Sequence, residues 1–100
     1  MQKNWLERTE LLIKENGIEK LQNANLLIVG LGGVGSFAAE FLARSGVGKM
    51  TIVDGDTVDI TNINRQLPAL HSTIGKPKVE VVADRLLDIN PKLELVKINE

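Results

Sequence analysis

The fold of this chain is decided by the stretch Leu26-Leu27-Ile28-Val29-Gly30-Leu31-Gly32-Gly33-Val34-Gly35-Ser36. Four apolar residues lead into a run rich in glycine, and an amphipathic segment follows, which predicts a strand, a tight turn and a helix. Gly30, Gly32 and Gly35 match the Gly-x-Gly-x-x-Gly pattern, and Gly33 lies inside it. In that pattern the start of the helix binds phosphate through free backbone N–H groups. The stretch therefore predicts a nucleotide site, although a tight turn also requires glycine for steric reasons alone.

The segments after the glycines alternate between helical and strand patterns. A helix is predicted directly after the turn, with an inward apolar stripe of Val34, Phe37, Ala38, Phe41 and Leu42. Lys49–Asp54 is predicted as the second strand, and its terminal Asp54 lies about 20 residues beyond the glycines, where an acid binds ribose hydroxyls. A long polar connection then runs from Gly55 to about Gly75. Connections of that length in a small domain are more often functional than idle.

A second periodic helix and a third strand complete the pattern. The helix opens at Lys76-Pro77-Lys78, because proline suits a first helical turn, and it ends at Asn90-Pro91. Its predicted inward residues are Val79, Val82, Ala83, Leu86 and Leu87. The third strand is predicted over Leu93–Ile98.

The whole pattern predicts an α/β, Rossmann-like three-layer fold with a parallel sheet, present here as an N-terminal half, β-α-β-α-β. Residues 1–23 are predicted as a helical lead-in, with one helix over Trp5–Ile13 that ends near Gly17 and a short one over Ile18–Leu21. Residues 24–100 are predicted as the nucleotide-binding half. Right-handed crossovers order the strands 3-2-1 and put the strand Leu26–Val29 at an edge, although its unbroken apolar character is typical of a strand covered on both faces. We therefore expect residues 1–100 to be the N-terminal part of one longer domain; completion by a partner chain is the alternative.

Composition excludes several classes of function. The chain has no cysteine, so it holds no disulfide and no thiolate metal site. Its net charge of −1 provides no field that would hold nucleic acid unaided. Neither a membrane-spanning run nor a signal-peptide core is present at the sequence level, which predicts a cytoplasmic protein.

Beyond the glycine pattern, the chain carries short blocks in a fixed order. They are Gly30–Ser36, Ala43–Gly48, Asp54-Gly-Asp56, Thr61-Asn-Ile-Asn-Arg-Gln66, Ile74-Gly-Lys-Pro-Lys78 and Ile89-Asn-Pro91. Together they resemble the ubiquitin-activating-enzyme-like adenylating superfamily of the ThiF type over nearly the whole chain. Within it, the chain is most similar to the tRNA threonylcarbamoyladenosine dehydratases, through Arg8–Leu12, Gly35–Glu40 and Asn62–Leu70. It also resembles the sulfur-carrier adenylyltransferases of thiamine and molybdopterin synthesis.

The resemblance implies an ATP-dependent enzyme in which a carboxylate attacks the α-phosphorus of ATP, pyrophosphate leaves, and a second nucleophile displaces AMP. It implies that Asp54 binds the ribose hydroxyls, with Asp56 a further candidate for the nucleotide site. The residues that would line the phosphates are Asn62, Arg65, Gln66 and Lys78. Arg65 and Lys78 are also candidate catalytic residues, because cations stabilise the charge that develops on phosphoryl oxygens.

Arg8 is a third candidate catalytic residue. It matches an arginine that members of the superfamily insert into the ATP site of the neighbouring subunit, which implies a homodimer. The resemblance also implies Mg²⁺, held by an aspartate beyond Glu100, so no metal ligand is assigned within these residues.

The leading functional prediction is a tRNA threonylcarbamoyladenosine dehydratase, which uses ATP to close the modified nucleoside into a ring. The alternative substrate is a small ubiquitin-like sulfur carrier protein. An NAD-dependent oxidoreductase fits Gly30–Gly35 and Asp54 equally well but leaves Asn62–Gln66 unexplained. The 100 residues alone are expected to be inactive.

Each candidate residue also has a purely structural interpretation. Arg65, Lys78 and Arg8 are compatible with solvated surface charges, and Asp54 with a cap on the loop after its strand. His71 is the only histidine of the chain, and the family pattern gives it no role.

Overall fold

The computed structural model of the chain describes residues 4–100, so the part of the predicted lead-in at residues 1–3 lies outside the described residues. The elements are α1 (Glu7–Gln22), β1 (Asn25–Val29), α2 (Gly33–Arg44), β2 (Lys49–Val53), α3 (Lys78–Ile89) and β3 (Glu94–Ile98). This order confirms the predicted β-α-β-α-β pattern after a helical lead-in. No helix within residues 4–100 combines the length and the apolar character that crossing a bilayer requires.

The three strands form one parallel sheet in the order β1-β2-β3, as predicted. The pairing is in register along its whole length, so that Ile28, Ile52 and Lys97 lie side by side. Residues on this face pack against α2 and α3. The strand β1 pairs only with β2 and therefore lies at an edge, which was also predicted.

One face of β1 is uncovered within the described residues, as expected for a strand at the edge of a half domain. Its side chains alternate between half-buried and exposed, and Leu27 and Val29 are 65% and 72% exposed. The reason is that α2 and α3 pack on the opposite face of the sheet, where Leu26 and Ile28 join the core. Residues 4–100 thus build two layers, a sheet and one layer of helices.

The predicted inward stripe of α2 is wrong except at Leu42, which packs partly buried against the core. Val34, Phe37 and Phe41 are exposed, and Ala38 and Leu42 are half-buried. The residues that α2 buries are Ser36, Ala39, Glu40 and Ala43. Three of these four side chains are small, which suits the close approach of the start of α2 to the strand before it. The rings of Phe37 and Phe41 stack on one another on the outer face, with centroids 6.4 Å apart.

The helix α3 follows its predicted pattern except at Leu87. Val79, Val82, Ala83 and Leu86 are buried as predicted, whereas Leu87 is 38% exposed. Leu86 already fills the space over the sheet, so the next residue points outward. Asn90 ends the helix as predicted, and its buried amide group donates to the carbonyl groups of Ala43 and Val47 at 3.3 and 3.0 Å.

The break in the lead-in lies at Lys14 and not near Gly17. Lys14 has φ 67° and ψ 171°, which interrupts α1, while Gly17 lies inside the second helical segment. Gly17 is needed there for space, because a Cβ on it would lie 2.8 Å from Cβ of Ile13. The glycine therefore permits the two segments to pack at the break and does not itself end a helix.

Glu40 joins the two helices that cover the sheet. This residue of α2 is 8% exposed, and its carboxylate pairs with Arg85 of α3 and with Arg44 one turn along α2. The hydrogen bond from Arg85 outweighs the opposing effect of burial and holds the pKa of the Glu40 carboxyl below its ordinary value. Such a group stabilises the fold above its unfolded pKa of about 4.3, and the contribution is lost as the pH falls through the folded pKa.

We expect Glu40→Gln to lower the free energy of unfolding at neutral pH by about 1–2 kcal/mol. The effect is at the lower end for a buried charge because the side chains of Arg44 and Arg85 are 51% and 47% exposed. The difference from wild type will shrink as the pH falls through the lowered pKa of the folded-state carboxyl, because the wild-type group is then protonated too. Urea unfolding of wild type and variant, at neutral pH and at an acidic pH where the carboxyl is protonated, measures this difference. Glu94→Gln is the control, since Glu94 forms no ion pair within residues 4–100. An equal loss at both pH values would contradict the interpretation.

Candidate functional site

The glycine turn connects β1 to α2 in a backbone conformation that only glycine adopts readily. Gly30 has φ 89°, and its N–H donates to the carbonyl of Val53 at 2.8 Å, which extends the pairing of β1 with β2 by one residue. A Cβ on Gly35 would lie 1.7 Å from the carbonyl oxygen of Gly30. The first turn of α2 therefore rests directly on the backbone of the preceding turn.

The start of α2 offers free backbone donors. Its N-cap is Gly32, which provides no side-chain cap, and the first helical bond runs from the N–H of Ser36 to the carbonyl of Gly32 at 3.1 Å. Within residues 4–100, the N–H groups of Gly33, Val34 and Gly35 donate to no acceptor. Together with the helix dipole, these donors make the helix start suited to an anion.

The long connection after β2 is closed at its base. Thr57 pairs with Pro77 in a short antiparallel bridge, and Val58 exchanges hydrogen bonds of 2.8 Å with the backbone of Gly75 and Lys76. The segment in between contains two short 3₁₀ helices, Ile60–Asn62 and His71–Thr73. The predicted loop is thus a compact unit, and its closed base fixes where its inner residues lie.

The turn at Asn62–Gln66 lies against the glycine turn. A Cβ on Gly32 would lie 3.7 Å from Nε2 of Gln66, and one on Gly33 would lie 3.8 Å from the backbone oxygen of Arg65. Oε1 of Gln66 is buried and has no hydrogen-bond partner within the described part of the chain. Two segments that are about 30 residues apart in sequence thus meet at one place, as expected for a shared site.

Asn62 and Asp59 hold this turn together. Oδ1 of Asn62, which is 9% exposed, accepts from the N–H of Asp59 at 2.9 Å. Oδ2 of Asp59 accepts from the N–H of Thr61 at 2.9 Å and from its hydroxyl group, and these bonds lower the pKa of the Asp59 carboxyl, with a smaller contribution from the charge of Lys78. Asp59 was not among the predicted site residues. The capping pattern Asp-x-x-Asn is the signal that identifies it.

The two predicted cations differ in their surroundings. Arg65 is exposed, and its Nη1 donates to the carbonyl of Thr61 at 3.1 Å and to Oδ1 of Asn64 at 2.9 Å. Lys78, the first residue of α3, is only 6% exposed and forms no ion pair with any residue of the described range. Packing thus holds the stem of the lysine in place, and no carboxylate of the described range neutralises its charge.

The acids after β2 also differ. Asp54 is 9% exposed, and its two carboxylate oxygens accept from the N–H groups of Leu31 and Asp56, both at 2.7 Å. Asp56 is exposed, and its backbone carbonyl accepts from the N–H of Lys78 at 3.0 Å. A depression of about 360 Å³ opens at the ends of β1 and β2 beside Gly30, Asp54 and Asp56. This is the edge of a parallel sheet at which ligands bind.

Arg8 does not join these residues. It is an exposed residue of α1, whose ends contact the segment before β2: the side chain of Leu6 lies beside Gly46, and the carbonyl of Leu21 accepts from the N–H of Gly48 at 3.1 Å. That segment is at the amino ends of the strands, whereas the glycine turn follows the carboxyl end of β1.

Within residues 4–100, no group of three or more His, Cys, Asp or Glu side chains lies close enough together to hold a metal ion.

The family model described as the ThiF family matches residues 6–100. The chain is 56% identical over 91 residues to a tRNA threonylcarbamoyladenosine dehydratase of Bacillus subtilis, an alignment that covers 91% of this chain and 36% of the relative. It is 44% identical over 84 residues to a molybdopterin-synthase adenylyltransferase of Escherichia coli, with 84% of this chain and 34% of the relative covered.

The fold is similar to a solved structure of E. coli tRNA threonylcarbamoyladenosine dehydratase in complex with ATP. The two superpose with a TM-score of 0.92 at 41% identity, over 95% of this chain and 39% of the other. The chain spans roughly a third of the length of the relatives it matches.

Proposed function

The chain belongs to the ThiF family, and we propose that residues 24–100 form the nucleotide-binding half of an ATP-dependent activating enzyme that adenylates a carboxylate. The proposal for the lead-in at residues 1–23 is that it presents Arg8 to a second subunit of a homodimer. A cytoplasmic location is part of the same proposal.

The contact between the Asn62–Gln66 turn and the glycine turn carries the proposal. It brings the segment of Arg65 against Gly32 and Gly33, where three backbone N–H groups of α2 are free. A helix start alone would suit any phosphate, including that of NAD. The neighbouring segment adds a cation, Arg65, and Lys78 is a buried lysine with no ion pair within residues 4–100. Two cations favour ATP, because negative charge builds up on the pyrophosphate as it leaves.

In the proposed reaction, a carboxylate oxygen attacks the α-phosphorus of ATP while the bond to the bridging oxygen of pyrophosphate breaks. The N–H groups of residues 33–35 would hold phosphate oxygens, and the ammonium group of Lys78 and the guanidinium group of Arg65 would neutralise the charge on the leaving pyrophosphate. Asn62 and Gln66 would orient the phosphates, and Asp54 would face the ribose. A second nucleophile then displaces AMP from the acyl adenylate.

Mg²⁺ is proposed as a partner of ATP, with its protein ligand beyond Glu100. Residues 4–100 hold no cluster of carboxylates that fits a metal ion, and both oxygens of Asp54 already accept hydrogen bonds. No step of the reaction is therefore assigned through a metal bound by these residues.

The proposed substrate is the threonylcarbamoyl group of a modified tRNA nucleoside. ATP would activate its carboxylate, and the neighbouring carbamoyl group would attack to close a ring. The 56% identity to a protein named for this reaction supports the choice. A sulfur carrier protein is the second candidate, supported by the 44% identity to an adenylyltransferase of molybdopterin synthesis.

We expect the intact gene product to release AMP from ATP when threonylcarbamoylated tRNA is added and not when a sulfur carrier protein is added. Chromatography of labelled nucleotide measures the release, and tRNA without the modification is the control. If only the sulfur carrier protein drives the release of AMP, the carrier becomes the favoured substrate and the tRNA nucleoside is rejected. Tight binding of NAD without any ATP–pyrophosphate exchange would overturn both in favour of an oxidoreductase.

A further inference from the structure

Asp54 has more contacts with the protein than a residue needs if it only binds ribose. Its carboxylate is 9% exposed, and each oxygen already accepts one backbone N–H at 2.7 Å. One donor is Leu31, the second residue of the glycine turn, and the other is Asp56, which follows in the loop after β2. The carboxylate therefore connects the two segments that would enclose a nucleotide.

The position of these bonds explains what they stabilise. The N–H of Gly30 donates to the carbonyl of Val53 at 2.8 Å and ends the pairing of β1 with β2. Only alternate residues of a parallel strand donate to the same neighbour, so that pairing offers the N–H of Leu31 no acceptor, and the chain turns sharply at Gly30, where φ is 89°. The side chain of Asp54 replaces the missing acceptor, and the buried N–H of Leu31 is satisfied.

We infer that Asp54 is a positioning residue: its carboxylate holds the glycine turn and the loop after β2 in the geometry that binds nucleotide. The inference deepens the proposed function and rests on it for the nucleotide, whereas the contacts themselves lie within this chain. A ribose hydroxyl would use only the lone pairs that the two N–H groups leave free.

Asparagine at this position separates positioning from ribose binding. An amide group has one oxygen and one NH₂, so whichever way it turns, either Leu31 or Asp56 faces a donor and loses its acceptor. A ribose hydroxyl can still bond an amide, but it bonds a carboxylate more strongly. Loss of ribose binding alone would therefore weaken ATP and spare analogues that lack the hydroxyl, whereas loss of positioning would weaken all of them.

Hydrogen exchange in the nucleotide-free, intact gene product tests the inference directly. In the wild type, the N–H groups of Leu31 and Asp56 will be protected from exchange, and the protection of Asp56 is the more telling because that residue is exposed. In Asp54→Asn, exchange at one or both will be faster by about tenfold or more. Asp88→Asn, at an exposed position of α3, is the matched control and will leave both unchanged.

Nucleotide affinity supplies the second measurement. Asp54→Asn will weaken ATP by about tenfold, and it will weaken 2′-deoxy-ATP and 3′-deoxy-ATP by the same factor, because the loss lies in the protein and not at a hydroxyl. A loss confined to ATP, or unchanged protection of both N–H groups in the variant, would overturn the inference.

Should the variant not fold, hydrogen exchange in the wild type decides: a protected Asp56 N–H supports the inference, and an unprotected one contradicts it. Should the wild type bind no ATP, the proposed function fails while the exchange experiment still tests the contacts.

Discussion

Replacing Lys78 by alanine will lower the rate of ATP–pyrophosphate exchange by about 100-fold or more. Lys78 is the buried cation at the start of α3, and within the described residues it has no carboxylate partner, so its charge is available to phosphate oxygens. A cation whose side chain is already held in place stabilises developing negative charge without having to be ordered during the reaction. Incorporation of labelled pyrophosphate into ATP, measured with the intact gene product, compares wild type and variant.

Lys76→Ala is the matched control. Lys76 lies two residues earlier and is exposed, and its backbone forms the hydrogen bonds that close the loop, which alanine preserves. We expect its exchange rate to stay within about twofold of the wild type. Circular dichroism of each variant shows whether the fold is intact. A folded Lys78→Ala protein with wild-type exchange would exclude Lys78 from the reaction and remove a main support for the adenylation proposal.

Arg65 provides a graded comparison for the same experiment. Its guanidinium group is exposed and bonded to the carbonyl of Thr61 and to Asn64, so water screens its charge more than that of Lys78. Alanine at position 65 should therefore slow exchange less than alanine at position 78.

Gly35→Ala will destabilise the protein more than any other single methyl group added to the glycine turn. The new Cβ would lie 1.7 Å from the carbonyl oxygen of Gly30, and both partners are backbone atoms that cannot rotate away. The start of α2 would have to move off β1, at a cost of about 3 kcal/mol or more in the free energy of unfolding. Nucleotide binding would be lost with the geometry of the turn.

Gly33→Ala is the control for this prediction, because it adds the same methyl group two residues away. The nearest atom to a Cβ there is the backbone oxygen of Arg65 at 3.8 Å, which is an ordinary contact. Its change in the free energy of unfolding should stay within about 1 kcal/mol. Urea unfolding of both variants gives the comparison, and equal stabilities would show that the close contact at Gly35 does not exist in solution.

The boundaries of the elements after the lead-in could be predicted because they depend on local pattern. Apolar runs and glycines define β1 and the turn, and Pro77 and Asn90-Pro91 bound α3 to within two residues of the prediction. The strand order followed from the handedness of the crossovers. The family followed from blocks of sequence that stand in a fixed order, and the ThiF family model that matches residues 6–100 confirms it.

The face that each helix buries was harder to predict. Counting large apolar residues favoured Phe37 and Phe41 as the core of α2, but the structure buries Ser36, Ala39 and Ala43. Apolar periodicity measures how hydrophobic a face is and does not measure how closely the helix approaches its neighbour. The contact of Gly35 with Gly30 brings the start of α2 close to β1, where small side chains fit, and Glu40 further along is buried because it pairs with Arg85 of α3.

The sequence by itself determined the glycine turn, the parallel β-α-β-α-β pattern and the candidate residues of the site, because each depends on residues close together in the chain. Only the tertiary structure decided which of them meet. Gln66 lies against Gly32, and Asp54 accepts from the N–H of Leu31. Arg8 belongs to α1, which lies at the amino ends of the strands, away from the glycine turn. These contacts join backbone and side-chain atoms far apart in sequence, and their geometry is fixed by the packing of the helices on the sheet, which no local pattern encodes.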